Sequence, residues 1–271
     1  MQVPITFETA EGTTHAPLVH AVVNGVATRL ILDTGASDHL LTMDVCLAAS
    51  LATEPGAPGT DSTGSSVPSW QAREVTIRIG EMELTLAEVI AIETPPPFRS
   101  GGMGGTLSPQ RLRPGTYAVL DLSASPVATL VPADAVDGWL AASYPGWRTI
   151  RLPAVDGDGT VLVEMAIDSF PSTVMMLDTG AKMTYAARTA VPGLGEGGVR
   201  RSTGRGVGGT ESFGVDVPGR VLHAGDVTLP VDLVVAEHDL GDPGCVVGMD
   251  VLRGTVLAVG PSGSPVRWLL P

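Results

Sequence analysis

Apolar residues in this chain recur in short runs closed off by glycine, proline and small polar residues. Two such runs, within 17–32, flank Asn24-Gly25, the dipeptide most favoured in a two-residue hairpin turn. The pattern returns in the second half, where runs over 161–167 and 173–177 flank the longer turn Asp168-Ser169-Phe170-Pro171-Ser172. Residues 75–79 and 227–231 alternate in the period of a half-buried strand, with polar or turn residues at their ends. Helical patterning is confined to short pieces. One covers 42–51; another covers 135–142, with Asp134 placed as a cap. The fold class this predicts is all-β.

The pattern also repeats on a larger scale. Leu30-Ile31-Leu32-Asp33-Thr34-Gly35-Ala36 reappears 145 residues later as Met175-Met176-Leu177-Asp178-Thr179-Gly180-Ala181. Ser125-Pro126-Val127 matches Ser264-Pro265-Val266, and the segment from Thr106 to Leu112 lines up with that from Val246 to Leu252. The order of matched segments is kept and their spacing drifts little, as expected of an old duplication. We therefore expect a first lobe over 1–132, a linker over 133–146 and a second lobe over 147–271.

Composition narrows the class. Hydrophobic residues make up 44% and charged residues 17%, which supplies ample core, while aromatics at 4% leave that core to aliphatic side chains. The net charge of −13 and a single lysine, Lys182, argue against nucleic acid and anionic membrane partners. No apolar run approaches the ~20 residues that span a bilayer. The N-terminal residues lack a basic and apolar leader pattern, so the expected location is cytoplasmic. Two cysteines, Cys46 and Cys245, are too few for a disulfide framework and sit in apolar contexts, as buried free thiols do.

The chemistry concentrates in the repeated tripeptide. Each Asp follows three large apolar residues and so emerges at the end of a buried strand, a costly place for a lone carboxylate. Two carboxylates brought together relieve that cost by sharing one proton, which leaves an acid beside a base. Asp33 and Asp178 are therefore the candidate catalytic pair. Thr34 and Thr179 are placed to bond across the interface. Gly35 and Gly180 offer backbone N–H groups with no Cβ in the way. Two copies in matching apolar contexts are a far more specific signal than one.

With these residues in view, the chain resembles the aspartic peptidases, and within them the retropepsin-like branch. Pro17-Leu18-Val19 through Ala36 is similar to the start of a retropepsin subunit. The segment from Cys245 to Leu252 resembles that family's second signature, and residues 206–215 its glycine-rich flap. The resemblance implies a bilobal fold of two pseudo-symmetric closed β-barrel lobes, with the active site between them. It implies an endopeptidase acting on an extended peptide or protein substrate as a catalytic monomer, with no metal and no organic cofactor. It also places Ser37, Lys182, Gly208 and Gly209 against the substrate, where Lys182 would favour an acidic side chain.

The first half departs from the family pattern. Thr106-Leu107-Ser108 stands where an apolar pair and glycine are expected, and the flap candidate over 59–66 is polar and lacks tyrosine. Both tripeptides continue with alanine, Ala36 and Ala181, so neither aspartate gains a hydroxyl donor there. That predicts a pH optimum in the mildly acidic to neutral range. Histidines 15, 20, 39, 223 and 238 show no metal-ligand spacing. The acidic run over 156–159 reads as a hairpin turn, and the run over 204–209 lacks the strand-to-helix context of a phosphate loop. A non-catalytic peptide-binding module of the same fold, and a processing enzyme for a single precursor, are the alternatives.

Overall fold

The computed structural model describes residues 2–61, 65–157, 159–205, 210–237 and 243–271. Strands dominate it, as the alternation predicts. Asn24 and Gly25 adopt φ of 41° and 90° and turn the hairpin between Gly12–Val23 and Val26–Leu32. Asn and Gly tolerate this left-handed backbone where a β-branched residue would not.

In the first half, Gly12–Val23, Val26–Leu32, Met103–Leu107, Leu40–Thr42, Met82–Ile92 and Ser69–Ile79 follow one another by hydrogen bonding, and Ser69–Ile79 pairs back to Gly12–Val23. That pairing closes a six-strand ring, with Thr6–Thr9 and Thr53–Pro55 at its margins. In the second half the corresponding ring follows the same sequence of partners: Leu162–Ile167, Thr173–Leu177, Cys245–Val247, Thr184–Ala187, Val227–Ala236 and Glu211–Ala224. Glu211–Ala224 returns to Leu162–Ile167 and closes it. The parallel and antiparallel pairings agree position by position. In particular, Leu32 pairs with Leu107 as Leu177 pairs with Val247, the match expected from the repeat.

The repeat has one consequence that its linear order hides. Gln2–Pro4, Val127–Pro132, Thr116–Asp121, Val256–Val259, Val266–Leu270 and Arg148–Leu152 form a single six-stranded sheet drawn from both halves. Its centre is the antiparallel pair Ala118↔Val259 through Asp121↔Val256. Period-2 alternation gives each face a separate job. Ala118, Leu120, Leu257 and Val259 face the main core. Tyr117, Val119, Val256 and Ala258 face the other way, where Val136 and Leu140 of the helix Val136–Ser143 cover them.

That helix begins after Ala135, whose side chain cannot cap it, so Asp134 is not the cap. The other short helix is tighter than its pattern suggests, Met43–Ala48. Both cysteines are buried and free, and burial pushes each thiol up to about 11, far from nucleophilic use. Among the described residues no helix is long and apolar enough to cross a membrane.

Candidate active site

Each aspartate follows a strand that ends in the core. Asp33 N–H donates to the Leu107 carbonyl at 2.9 Å, and Asp178 N–H donates to that of Val247 at 3.0 Å. The neighbouring strand therefore fixes the backbone at the point where each chain turns out of its sheet.

The two turns are then tied to each other. Thr34 N–H donates to Thr179 Oγ1 at 3.0 Å, and Thr179 N–H donates to Thr34 Oγ1 at 3.0 Å. Each hydroxyl passes its own proton on, Thr34 to the Leu177 carbonyl at 2.5 Å and Thr179 to that of Leu32 at 2.6 Å. Both threonines are fully buried. Every donor and acceptor in the knot is thus satisfied, with each bond contributing about 1 kcal/mol.

The glycines make the approach possible. A Cβ on Gly35 would come within 2.5 Å of Asp178 Cγ, and one on Gly180 within 2.8 Å of Asp33 Cγ. Neither glycine has a positive φ, so space is the requirement here and not backbone conformation. Each loop leaves a hole that the other loop's carboxylate fills. Gly35 N–H donates to Asp33 Oδ1 at 2.9 Å; Gly180 and Ala181 N–H donate to Asp178 Oδ1 at 2.7 and 3.1 Å.

Electrostatics follow from this packing. Burial pushes the Asp33 carboxyl well above the usual range, and the charge of Asp178 raises it further. Asp178 is also raised by burial, but its hydrogen bond with Asp33 and the N–H groups of Gly180 and Ala181 pull it back down. The N–H groups of Gly35 and Ala36 lower Asp33 in the same way, and the buried pair holds one proton tightly between its two carboxyls.

The supporting segments are equivalent in position but not in chemistry. In the second half, Met249 and Asp250 N–H donate to the Ala181 and Lys182 carbonyls at 2.9 and 3.2 Å. Gly248 N–H donates to Thr184 Oγ1 at 3.2 Å. In the first half Pro109 has no N–H to give. The buried Gln110 side chain takes over, its Nε2 lying 3.2 Å from the Ala36 carbonyl, 3.3 Å from that of Thr34 and 2.6 Å from that of Gly159. Ser108 N–H donates to His39 Nδ1 at 3.2 Å, so an imidazole stands where the second half uses a threonine. With these substitutions Thr106-Leu107-Ser108 supports the Asp33 loop through different hydrogen bonds from those of the second half.

Of the other residues singled out from sequence, Ser37 is half-buried and Lys182 is exposed on the loop after Asp178. Lys182 has no ion pair among the described residues. Gly208 and Gly209 lie outside the described residues, as does Asp158. The strands that flank the flap candidate, Arg200–Arg205 and Glu211–Ala224, do form an antiparallel hairpin. The first-half candidate has paired arms too, Gly59–Thr60 with Ser66–Val67, and Ser65 Oγ donates to Thr210 Oγ1 at 2.8 Å. No cluster suited to a metal ion occurs among the described residues.

Sequence reasoning missed Gln110, His39 and His15. The same 145-residue offset that pairs the aspartates also pairs His39 with Thr184, which was the available signal. Gln110 and His15 act across the interface and leave no local trace.

Comparison with known proteins agrees with this geometry over the first half. Residues 19–109 match the family model for aspartyl proteases. The matched stretch holds Asp33, Thr34 and Gly35 and runs to Pro109, so it includes the strand that receives Asp33 N–H. Asp178 lies beyond it and is reached through the repeat. The comparison with curated proteins gave no match.

Proposed function

We propose that this chain is an aspartic endopeptidase of the retropepsin-like kind, a fusion of two pseudo-symmetric lobes over 1–132 and 147–271 joined by residues 133–146. Asp33 and Asp178, one from each lobe, form its catalytic pair. The observation that carries the reading is the reciprocal fit in which each carboxylate occupies the space left by the other loop's glycine. Binding alone gives no reason to bury two carboxyls against each other.

In the reaction, Asp178 as carboxylate takes a proton from a water as its oxygen attacks the scissile carbonyl carbon. Asp33 gives its proton to the carbonyl oxygen, and a tetrahedral diol results. Collapse of the diol returns one hydroxyl proton to the pair, and the proton taken up by Asp178 passes to the leaving nitrogen. The carbon–nitrogen bond breaks, giving an acid and an amine. Both aspartates sit in one chain, so a catalytic monomer suffices. Ser37, Lys182 and the flap glycines Gly208 and Gly209 are proposed to face the peptide, with Lys182 drawing an acidic side chain.

The test is cleavage of a diverse peptide library between pH 3 and 8, read by mass spectrometry. The burial that raises both carboxyls predicts a profile centred in the mildly acidic to neutral range, enrichment of acidic residues near the cut, and inhibition by a statine-type mimic of the diol. A profile peaking near pH 2–3 would contradict the electrostatics. An inert wild type would leave the fold serving as a peptide-binding module or as a processing enzyme for a single precursor.

A further inference from the structure

A further break in the correspondence between the two halves lies beside the loop of Asp178. His15, in strand Gly12–Val23, reaches across to the loop that carries Asp178, and its Nε2 lies 2.8 Å from the Gly180 carbonyl oxygen. A carbonyl only accepts, so Nε2 carries the proton and donates it. The matching pairs Leu18↔Ile31 and Leu162↔Met176 put His15 opposite Gly159 in the repeat. No imidazole fits there: Gly159 has φ +111°, and a Cβ on it would come 2.7 Å from the Ser37 carbonyl oxygen. One active loop therefore meets a side-chain donor where the other meets bare backbone.

The bond bears directly on an aspartate. The carbonyl of Gly180 and the N–H of Ala181 are two ends of one planar peptide. That N–H donates to Asp178 Oδ1 at 3.1 Å. Fixing the carbonyl fixes the donor, and the polarised peptide donates more strongly. The charged groups facing His15 are Lys182 and Asp178; burial, the largest influence, holds the imidazole below its usual value, so it is neutral at pH 7.

We infer that His15 is a positioning residue of the proposed peptidase, holding the Gly180–Ala181 peptide so that its N–H stays on Asp178 Oδ1 and supports the ionised form of that carboxyl. The inference rests on the peptidase reading.

Two variants separate this role from simple packing. His15→Leu removes the donor; His15→Gln keeps an N–H but cannot titrate. With a peptide that the wild type cleaves, His15→Leu is expected to lower kcat about tenfold, the worth of one well-placed hydrogen bond, with KM nearly unchanged. Its acid limb should move to higher pH, because the ionised form of Asp178 loses support. His15→Gln should recover most of kcat. A folded His15→Leu protein with wild-type kcat and an unmoved acid limb would overturn the inference.

A second readout needs no turnover. The His15 imidazole, followed by NMR, should titrate at lower pH in Asp178→Asn than in wild type, since the carboxylate that favours its charged form is gone. Identical titrations would overturn the coupling. A wild type that cleaves no library peptide counts against the general endopeptidase reading instead, and the NMR comparison still decides the contact.

Discussion

At the scale of single residues, the site depends on what is missing. Gly35 and Gly180 have ordinary backbone conformations, and the reason for glycine is the carboxylate beyond it. Gly35→Ala is therefore expected to push Asp178 out of place and lower kcat/KM by about 10²-fold or more, a loss that near-normal circular dichroism would separate from unfolding. The same burial has a cost in stability. Both aspartates are raised in the folded protein, so their contribution is present below the usual carboxylate range and is lost as pH rises through the folded values. Asp33→Asn removes one of these groups. Thermal melts should show its advantage over wild type widening from pH 4 to pH 8, and a gap that narrows over that range would contradict the assignment.

At the scale of elements, the same support is built in two ways. The second half uses the backbone N–H groups of Met249 and Asp250, ordinary for the start of a helix. In the first half Pro109 forbids this, and Gln110 supplies a side-chain amide to carbonyls on both sides of the interface. Gln110→Leu should leave those carbonyls short of a donor and cost about 1–3 kcal/mol in denaturant unfolding, with a loss of kcat as the Asp33 loop loosens. A neutral result would assign the support elsewhere. Much of the element plan was legible in the sequence, because Asn24-Gly25, the apolar runs and the twin tripeptides each carry a local signal. Gln110 and His15 were not, because their partners lie 74 and 165 residues away, and nothing in their own neighbourhood shows it. Gly208 and Gly209, expected in a flap, fall outside the described residues.

At the scale of the molecule, the shared sheet decides how the halves behave. The repeat made the matching strand order of the two halves legible. It did not reveal that Val127–Pro132 and Val266–Leu270, its outermost matched segments, belong to one sheet, because strand pairing across the repeat is set by packing and not by pattern. Trp268, fully buried in that sheet, donates its indole N–H to Thr255 Oγ1 at 3.0 Å and packs in the main core. With the central pair Thr116–Asp121 and Val256–Val259 drawn from different halves, neither half keeps its core without the other. Calorimetry should therefore show one unfolding transition whose van't Hoff and calorimetric enthalpies agree, where two independent lobes would give two. The central claim is that one aspartate from each half makes a single catalytic pair, and the most direct measurement is kcat/KM on one cleaved peptide for wild type, Asp33→Asn and Asp178→Asn. Both substitutions are predicted to lower it by about 10²–10⁴-fold or more while the proteins stay folded. Full activity in either folded variant would contradict the pair.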